Sequence, residues 1–426
     1  MSSHESGENS MPNAKVAGID LRASSSLLQS LDQTIRMVLG VYIFSLPFSG
    51  LLFIERNVFI LLVALLIIWC VVNKGHFFSH TPIDLPLVAF VVWVGLSVPF
   101  SVTPGYSFGE FAKLLQQSIV FYGVVYFLQS SKHKLWMIVI FIGSLVATSL
   151  YGLWQFDPSE TRKYAFIQSF LGSEVALTTY LVMTLPLSAA VAILAPIPWL
   201  RGTGMGACVL SVVCQFLTFS RGGLAALFVE AIVLAGTIRN RAITTIVIAV
   251  LTVSLVGVGV LLYVGDQSKL PFLPVKTKLT TYNLVSRWKA WELGFEKMLE
   301  HPLFGSGYGK NTFKQFSQPY FGDEAGVPMA QGTHNTLMDI SVGAGVPAGL
   351  AYLWLMWTIG RTGLAQFRAG NDQYVKIWSL ALFLMVGGLF IRNSFDHMWV
   401  GSLAVMFWVM VGMAVRPERR ESRSVN

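Results

Sequence analysis

Long uninterrupted apolar runs, parted by short polar connections, set the pattern of the chain. They lie near 36–53, 58–73, 84–101, 111–129, 135–155, 174–194, 204–220, 222–238, 242–264, 335–360, 375–391 and 397–415. Several reach roughly 17 to 25 residues, the length a helix needs to cross about 30 Å of hydrocarbon, so the pattern predicts about twelve transmembrane helices. Runs such as 58–72 and 242–264 are continuously apolar, not alternating, which excludes a membrane β-barrel. The expected fold is all-α, a polytopic integral membrane protein.

One connection breaks the rhythm. Residues 265–334 carry Lys, Glu, Gly, Pro and Tyr, and predict a small extramembrane domain between nine helices in 36–264 and three in 335–415. Polar tails, 1–35 and 416–426, flank the whole. The middle of that domain, Leu284 to Glu300, reads LVSRWKAWELGFEKMLE, with Val285, Trp288, Leu293, Phe295 and Leu299 apolar among charges. This is the pattern of an amphipathic helix at a membrane surface. HPLFGSGYG follows, where Pro302 ends the helix and Gly305, Gly307 and Gly309 punctuate a turn. Without a preceding strand, that glycine spacing is weak evidence for a nucleotide. One helix and a long loop bury little core, so the domain is expected to pack on the bundle as a lid over an external cavity.

Composition closes off other classes. The chain has 426 residues, 54% of them hydrophobic and only 12% charged, with a mean hydropathy of +0.61. A soluble globular protein is thereby excluded. The net charge of +8 does not point to nucleic acid, because most basic residues sit in short connections. With the N-terminus inside, Lys74, Lys132, Lys134, Arg201, Arg239, Arg241, Arg361, Arg368, Lys376, Arg416, Arg419, Arg420 and Arg423 face the cytoplasm, as the positive-inside rule requires. Both termini are expected there, and the N-terminal segment lacks the features of a cleaved signal peptide. Cys70, Cys208 and Cys214 lie in apolar spans without ligand spacing, so no disulfide, zinc site or redox motif is expected.

In so apolar a chain the polar residues near membrane depth are the informative ones; an Arg at a helix centre costs roughly 2.5–3.5 kcal/mol on insertion scales. Arg221, in FSRGG, stands at the external end of a tight helical hairpin, where the next helix offers free N–H groups and a positive dipole end to an anion. An arginine snorkelling to lipid headgroups fits the same place. Arg287 has a guanidinium fork suited to a phosphate, or belongs to a solvated face. His334, in GTHN, sits where the external domain re-enters the membrane, with Thr333 or Asn335 as helix cap. Its imidazole is suited to take a proton from a sugar hydroxyl, or is a structural hydrogen-bonding group. Asp339 is either its partner or a hydrogen bond within the bundle. Arg392 and Asp396 share a short external hairpin, as an ion-paired clasp or as supporting site residues. All these fall on one predicted face, and no carboxylate cluster there suggests a divalent metal. TYLVMTLPLSAAVA, at 179–192, has the proline and small residues to bend a helix and open a lateral passage for a lipid tail.

FSRGG at 219–223, the SRW…HPLFGSGYG run at 286–309 and THN at 333–335 together resemble the family of bacterial O-antigen ligases and polymerases. The resemblance implies a GT-C-like glycosyltransferase of the bacterial inner membrane, working on the periplasmic side without metal or other cofactor. It implies O-antigen on undecaprenyl pyrophosphate as donor and a sugar hydroxyl of lipid A-core as acceptor. By the same resemblance His334 matches the base that activates the acceptor, and Arg221 and Arg287 match arginines that engage the donor pyrophosphate, with inversion at the anomeric carbon. The short C-terminal tail favours the lipopolysaccharide ligases over oligosaccharyltransferases that act on proteins. O-antigen polymerases share the donor and are the near alternative. A transporter using Arg221 and His334 as relay residues would show repeats between its halves, and none is visible. A non-catalytic scaffold leaves the convergence of polar residues unexplained.

Overall fold

The computed structural model describes residues 14–156, 167–218, 220–238, 240–241, 244–245, 277–317, 332–395 and 401–417. Among them there is no strand. The first eight helices are α1 (Ala14–Ser45), α2 (Leu52–Asn73), α3 (Asp84–Ser97), α4 (Pro104–Phe127), α5 (Ser131–Trp154), α6 (Glu174–Leu194), α7 (Pro198–Leu217) and α8 (Arg221–Ile238). Beyond 276 come α9 (Thr277–Glu300), α10 (Lys310–Ser317), α11 (Thr336–Ala344), α12 (Val346–Ala369), α13 (Gln373–Asn393) and α14 (Gly401–Ala414). By length and composition, six stretches of the described chain are apolar enough to cross a membrane, and Asp84–Phe100 and Gly401–Ala414 are shorter apolar helices. The span expected at 242–264, and much of the domain expected at 265–334, lie outside the described residues.

Local chemistry sets several helix starts. Ser130, Ser173 and Asn335 each cap a helix by accepting from the backbone N–H three residues on, and Asp372 accepts from Tyr374 and Val375. α6 is apolar all round and correspondingly central, buried from Leu177 to Val191. It packs on α7 and α13, which in turn holds α8 and α12. α2 is nearly all on the rim. The central place of α6 overturns the lateral passage expected at 179–192: Thr184 and Ser188 are fully buried and bond back to the carbonyls of Tyr180 and Leu185. This stretch faces helices, not lipid.

Two expected boundaries also change. The first apolar run, 36–53, is not one helix: α1 ends at Ser45, a turn intervenes, and α2 begins at Leu52. The run 335–360 is two helices, broken at Gly345, whose φ of +90° no helical residue adopts. Hydrophobic periodicity is blind to such a break, because both pieces are apolar.

One carboxylate stands in the interior. Glu230 of α8 is 3% exposed, and neither carboxylate oxygen has a hydrogen-bond partner among the described residues. Gly388 of α13 makes room for it: a Cβ there would lie 1.9 Å from its Oε1. Gly388→Ala is therefore expected to cost about 1–3 kcal/mol, read as a lower melting temperature in detergent. Glu230→Ala in the same chain should recover part of that loss through a coupling of about 0.5–3 kcal/mol. Strictly additive losses would show that the carboxylate is not what Gly388 accommodates.

Candidate functional site

The polar residues gather at one end of the bundle in two groups. The first is built on the start of α8. Gly222 and Gly223 follow Arg221 because the helix enters against its neighbours: a Cβ on Gly222 would meet Phe395 at 3.0 Å and the Arg392 Nη1 at 3.4 Å, and one on Gly223 would meet Gln215 at 2.0 Å. The Ser220 hydroxyl accepts from Gly223 N–H at 3.3 Å. Arg392, in the last turn of α13, is 3% exposed, and the next residue, Asn393, donates to the Tyr352 hydroxyl at 2.9 Å. An exposed Arg221, a buried Arg392 and the positive end of α8 thus adjoin, and together they favour an anion. Asp396 lies outside the described residues.

The second group is built on α9 and α11. α9 starts at Thr277, seven residues before the amphipathic run, and packs on α11. Its Ala290 and Leu293 form a small apolar cluster with Phe313 and Val342. Trp291 donates from its indole nitrogen to the Thr333 carbonyl at 2.7 Å, and a Cβ on Gly294 would meet Thr333 at 2.8 Å. Arg287 stands one turn before Trp291 on the same face, so it is carried toward the segment that bears His334. His334 is half-buried in the left-handed region, φ +55°. Asp339 holds the approach to it: its Oδ1 accepts from the Thr333 N–H and the Thr333 hydroxyl, both at 2.8 Å. Asp339 is therefore tied to the His334 loop. Asn335, not Thr333, caps α11.

The glycine turn after α9 packs against the end of α11. Gly305, Gly307 and Gly309 have φ of +66°, +137° and +119°. Ser306 and Gly307 donate backbone N–H groups to the carbonyls of Val342 and Gly343 at 2.8 and 2.9 Å, and Val102 N–H donates to Ser306 at 2.9 Å. Phe304 stacks on Phe100 and Trp93, with ring centroids 4.2 and 5.8 Å apart. Gly305 lets the turn lie against the backbone of Val342 and Gly343, whereas Gly307 makes room for the side chains of Ser101 and Thr312 and Gly309 for those of Glu110 and Tyr106. Tyr308, next in the turn, is half-buried, and desolvation with Glu110, Tyr352 and Tyr106 pushes its hydroxyl above the usual range, so it stays protonated. Tyr352 thus links the turn to Asn393 and the first group.

Residues 206–353 match the O-antigen ligase family model. That segment contains Arg221, Arg287 and His334 and stops short of Arg392. A search of curated proteins finds no match for the chain. The family match and the apolar helices support a membrane-bound enzyme of the glycosyl-transfer kind.

A cavity of about 560 Å³ opens at this end of the bundle, and Asp339 and Tyr308 line it. Arg221, Arg287, His334 and Arg392 do not. Its other polar lining includes Glu55, Arg56, Glu110 and Lys113, which the sequence reading did not single out. The signal existed: ER inside LLFIERNVF and the E…K pair inside FGEFAKLL are charges in otherwise apolar stretches. Glu230 in LAALFVEAIVLAG carried the same signal.

Proposed function

We propose that this protein is an O-antigen ligase, transferring O-antigen en bloc from undecaprenyl pyrophosphate to a sugar hydroxyl of lipid A-core on the periplasmic side of the bacterial inner membrane. The observation that carries the reading is that the family match spans Arg221, Arg287 and His334. His334 takes the proton of the acceptor hydroxyl as its oxygen attacks the anomeric carbon from the face opposite the leaving group. The bond from that carbon to the pyrophosphate oxygen breaks, and configuration inverts. Arg221, Arg287 and Arg392 hold the charge that gathers on the pyrophosphate, so no protonated acid is needed on that side. Undecaprenyl pyrophosphate and the glycosylated lipid A-core leave.

The test is transfer in vitro with purified protein, lipid-linked glycan and lipid A-core. Conjugated lipopolysaccharide is the expected product. Chain growth on a second lipid-linked glycan, with none on lipid A-core, would move the protein to the polymerases. Activity is expected to persist in chelator, and a loss restored by Mg²⁺ would reject the metal-free scheme.

A further inference from the structure

The cavity beside Asp339 has a chemistry of its own. Its polar lining includes Glu55, Arg56, Glu110, Lys113, Gln116 and Asp339, with three carboxylates against two cations. Phe53, Phe59 and Tyr308 add aromatic surface. The volume lies in the range of small-molecule sites. Five charged side chains set among the apolar ones do not suit an isoprenoid tail, and with Lys113 held by Glu110 the wall offers a pyrophosphate no cluster of cations, only the single guanidinium of Arg56 at the rim. It does suit a saccharide: carboxylates and amides pair with adjacent hydroxyls, and aromatic rings cover the C–H faces.

The groups are held in place without being used up. Glu110 accepts from Lys113 at 2.6 Å, Glu55 accepts from the Ser402 hydroxyl at 2.6 Å, and Gln116 donates to the Tyr42 hydroxyl at 3.0 Å. Each keeps further lone pairs or N–H donors. Arg56 is exposed at the rim and makes no ion pair among the described residues, which leaves its guanidinium to meet an anionic substituent. Asp339 belongs both to this wall and to the Thr333–His334 loop.

We propose that this cavity is the acceptor subsite, receiving a hydroxyl-rich saccharide that carries an anionic group. Arg56 meets the anion, Glu110 and Gln116 bind hydroxyls, and Asp339 sets the loop that brings His334 to the reacting oxygen. Donor and acceptor are then sorted by charge, the pyrophosphate to the arginine-rich helix ends and the sugar to the mixed-charge cavity. This inference rests on the glycosyl-transfer reading above.

The test uses the purified full-length protein in vesicles, comparing wild type with Arg56→Ala and Glu110→Gln. Transfer is measured while lipid A-core is varied at saturating lipid-linked donor, and then the reverse. Arg56 is exposed, so Arg56→Ala is expected to fold, with an unchanged melting temperature. Its KM for lipid A-core should rise about tenfold while its KM for donor stays put, and Glu110→Gln should move the same constant in the same direction. A rise in donor KM instead, or no change in either, overturns the assignment. Should wild type extend a second lipid-linked glycan in place of lipid A-core, with Arg56→Ala still raising the KM for that acceptor, the ligase reading fails and the subsite stands. A wild type that transfers to no acceptor sinks both.

Discussion

His334→Ala should leave a folded protein that transfers glycan about 10²- to 10⁴-fold more slowly, the range lost when a positioned general base is removed. The fold is expected to survive because the side chain is only half-buried and the segment is held by its neighbours: Trp291 on the Thr333 carbonyl, Asp339 on the Thr333 N–H and hydroxyl, and Asn335 on Met338. Alanine also leaves the left-handed φ of +55° in place at modest strain. The measurement is single-turnover transfer with donor and acceptor saturating, beside a melting curve. Asp339→Asn serves as a positioning control: it removes a charge the loop leans on without removing a base, so it should slow transfer less than His334→Ala. A His334→Ala protein that turns over at the wild-type rate would remove the base from His334, whatever its family match.

The reading of the sequence went furthest where the signal was local. A carboxamide or hydroxyl ahead of an apolar run marks a cap, and THN at 333–335 does contain the cap of α11. FSRGG was legible as a tight hairpin because it joins two apolar runs with almost no loop, and α7 ending at Leu217 with α8 starting at Arg221 bears that out; that Gly222 makes room for Phe395 and Arg392, and Gly223 for Gln215 and Thr178, was not legible. Features that depend on distant packing were not legible. Proline and small residues at 179–192 suggested an opening, but those properties equally let α6 sit at the centre with neighbours on every side. The acidic and basic residues of the cavity come from α2, α4 and α11, far apart in sequence, and each alone reads as an interfacial charge. Only the fold puts them on one wall.

The break between α11 and α12 offers the sharpest structural test, because it sets where His334 and the cavity lie relative to the bundle. Gly345 has φ +90° and ψ 163°, a region that is essentially glycine's alone. A Cβ there would stand 2.0 Å from the Leu303 carbonyl oxygen and 2.9 Å from the Phe304 nitrogen, both backbone atoms that cannot rotate away. The crossing is tied on either side by Val346 N–H to Pro302 and Ser306 N–H to Val342, each at 2.8 Å. Gly345→Ala must therefore change its own backbone and part these strands of chain, losing at least one of those bonds, for an expected cost of about 3 kcal/mol or more. Because Val342, Gly343 and Gly307 line the cavity, transfer should fall with stability. Gly236→Ala on α8 is the matched control: nothing lies within 4 Å of its Cβ, and a helical Gly-to-Ala change there should be neutral or stabilising by up to about 1 kcal/mol. A Gly345→Ala protein that melts with wild type would mean that this crossing does not hold α11 in register, and the placement of His334 would then have to come from α9 alone.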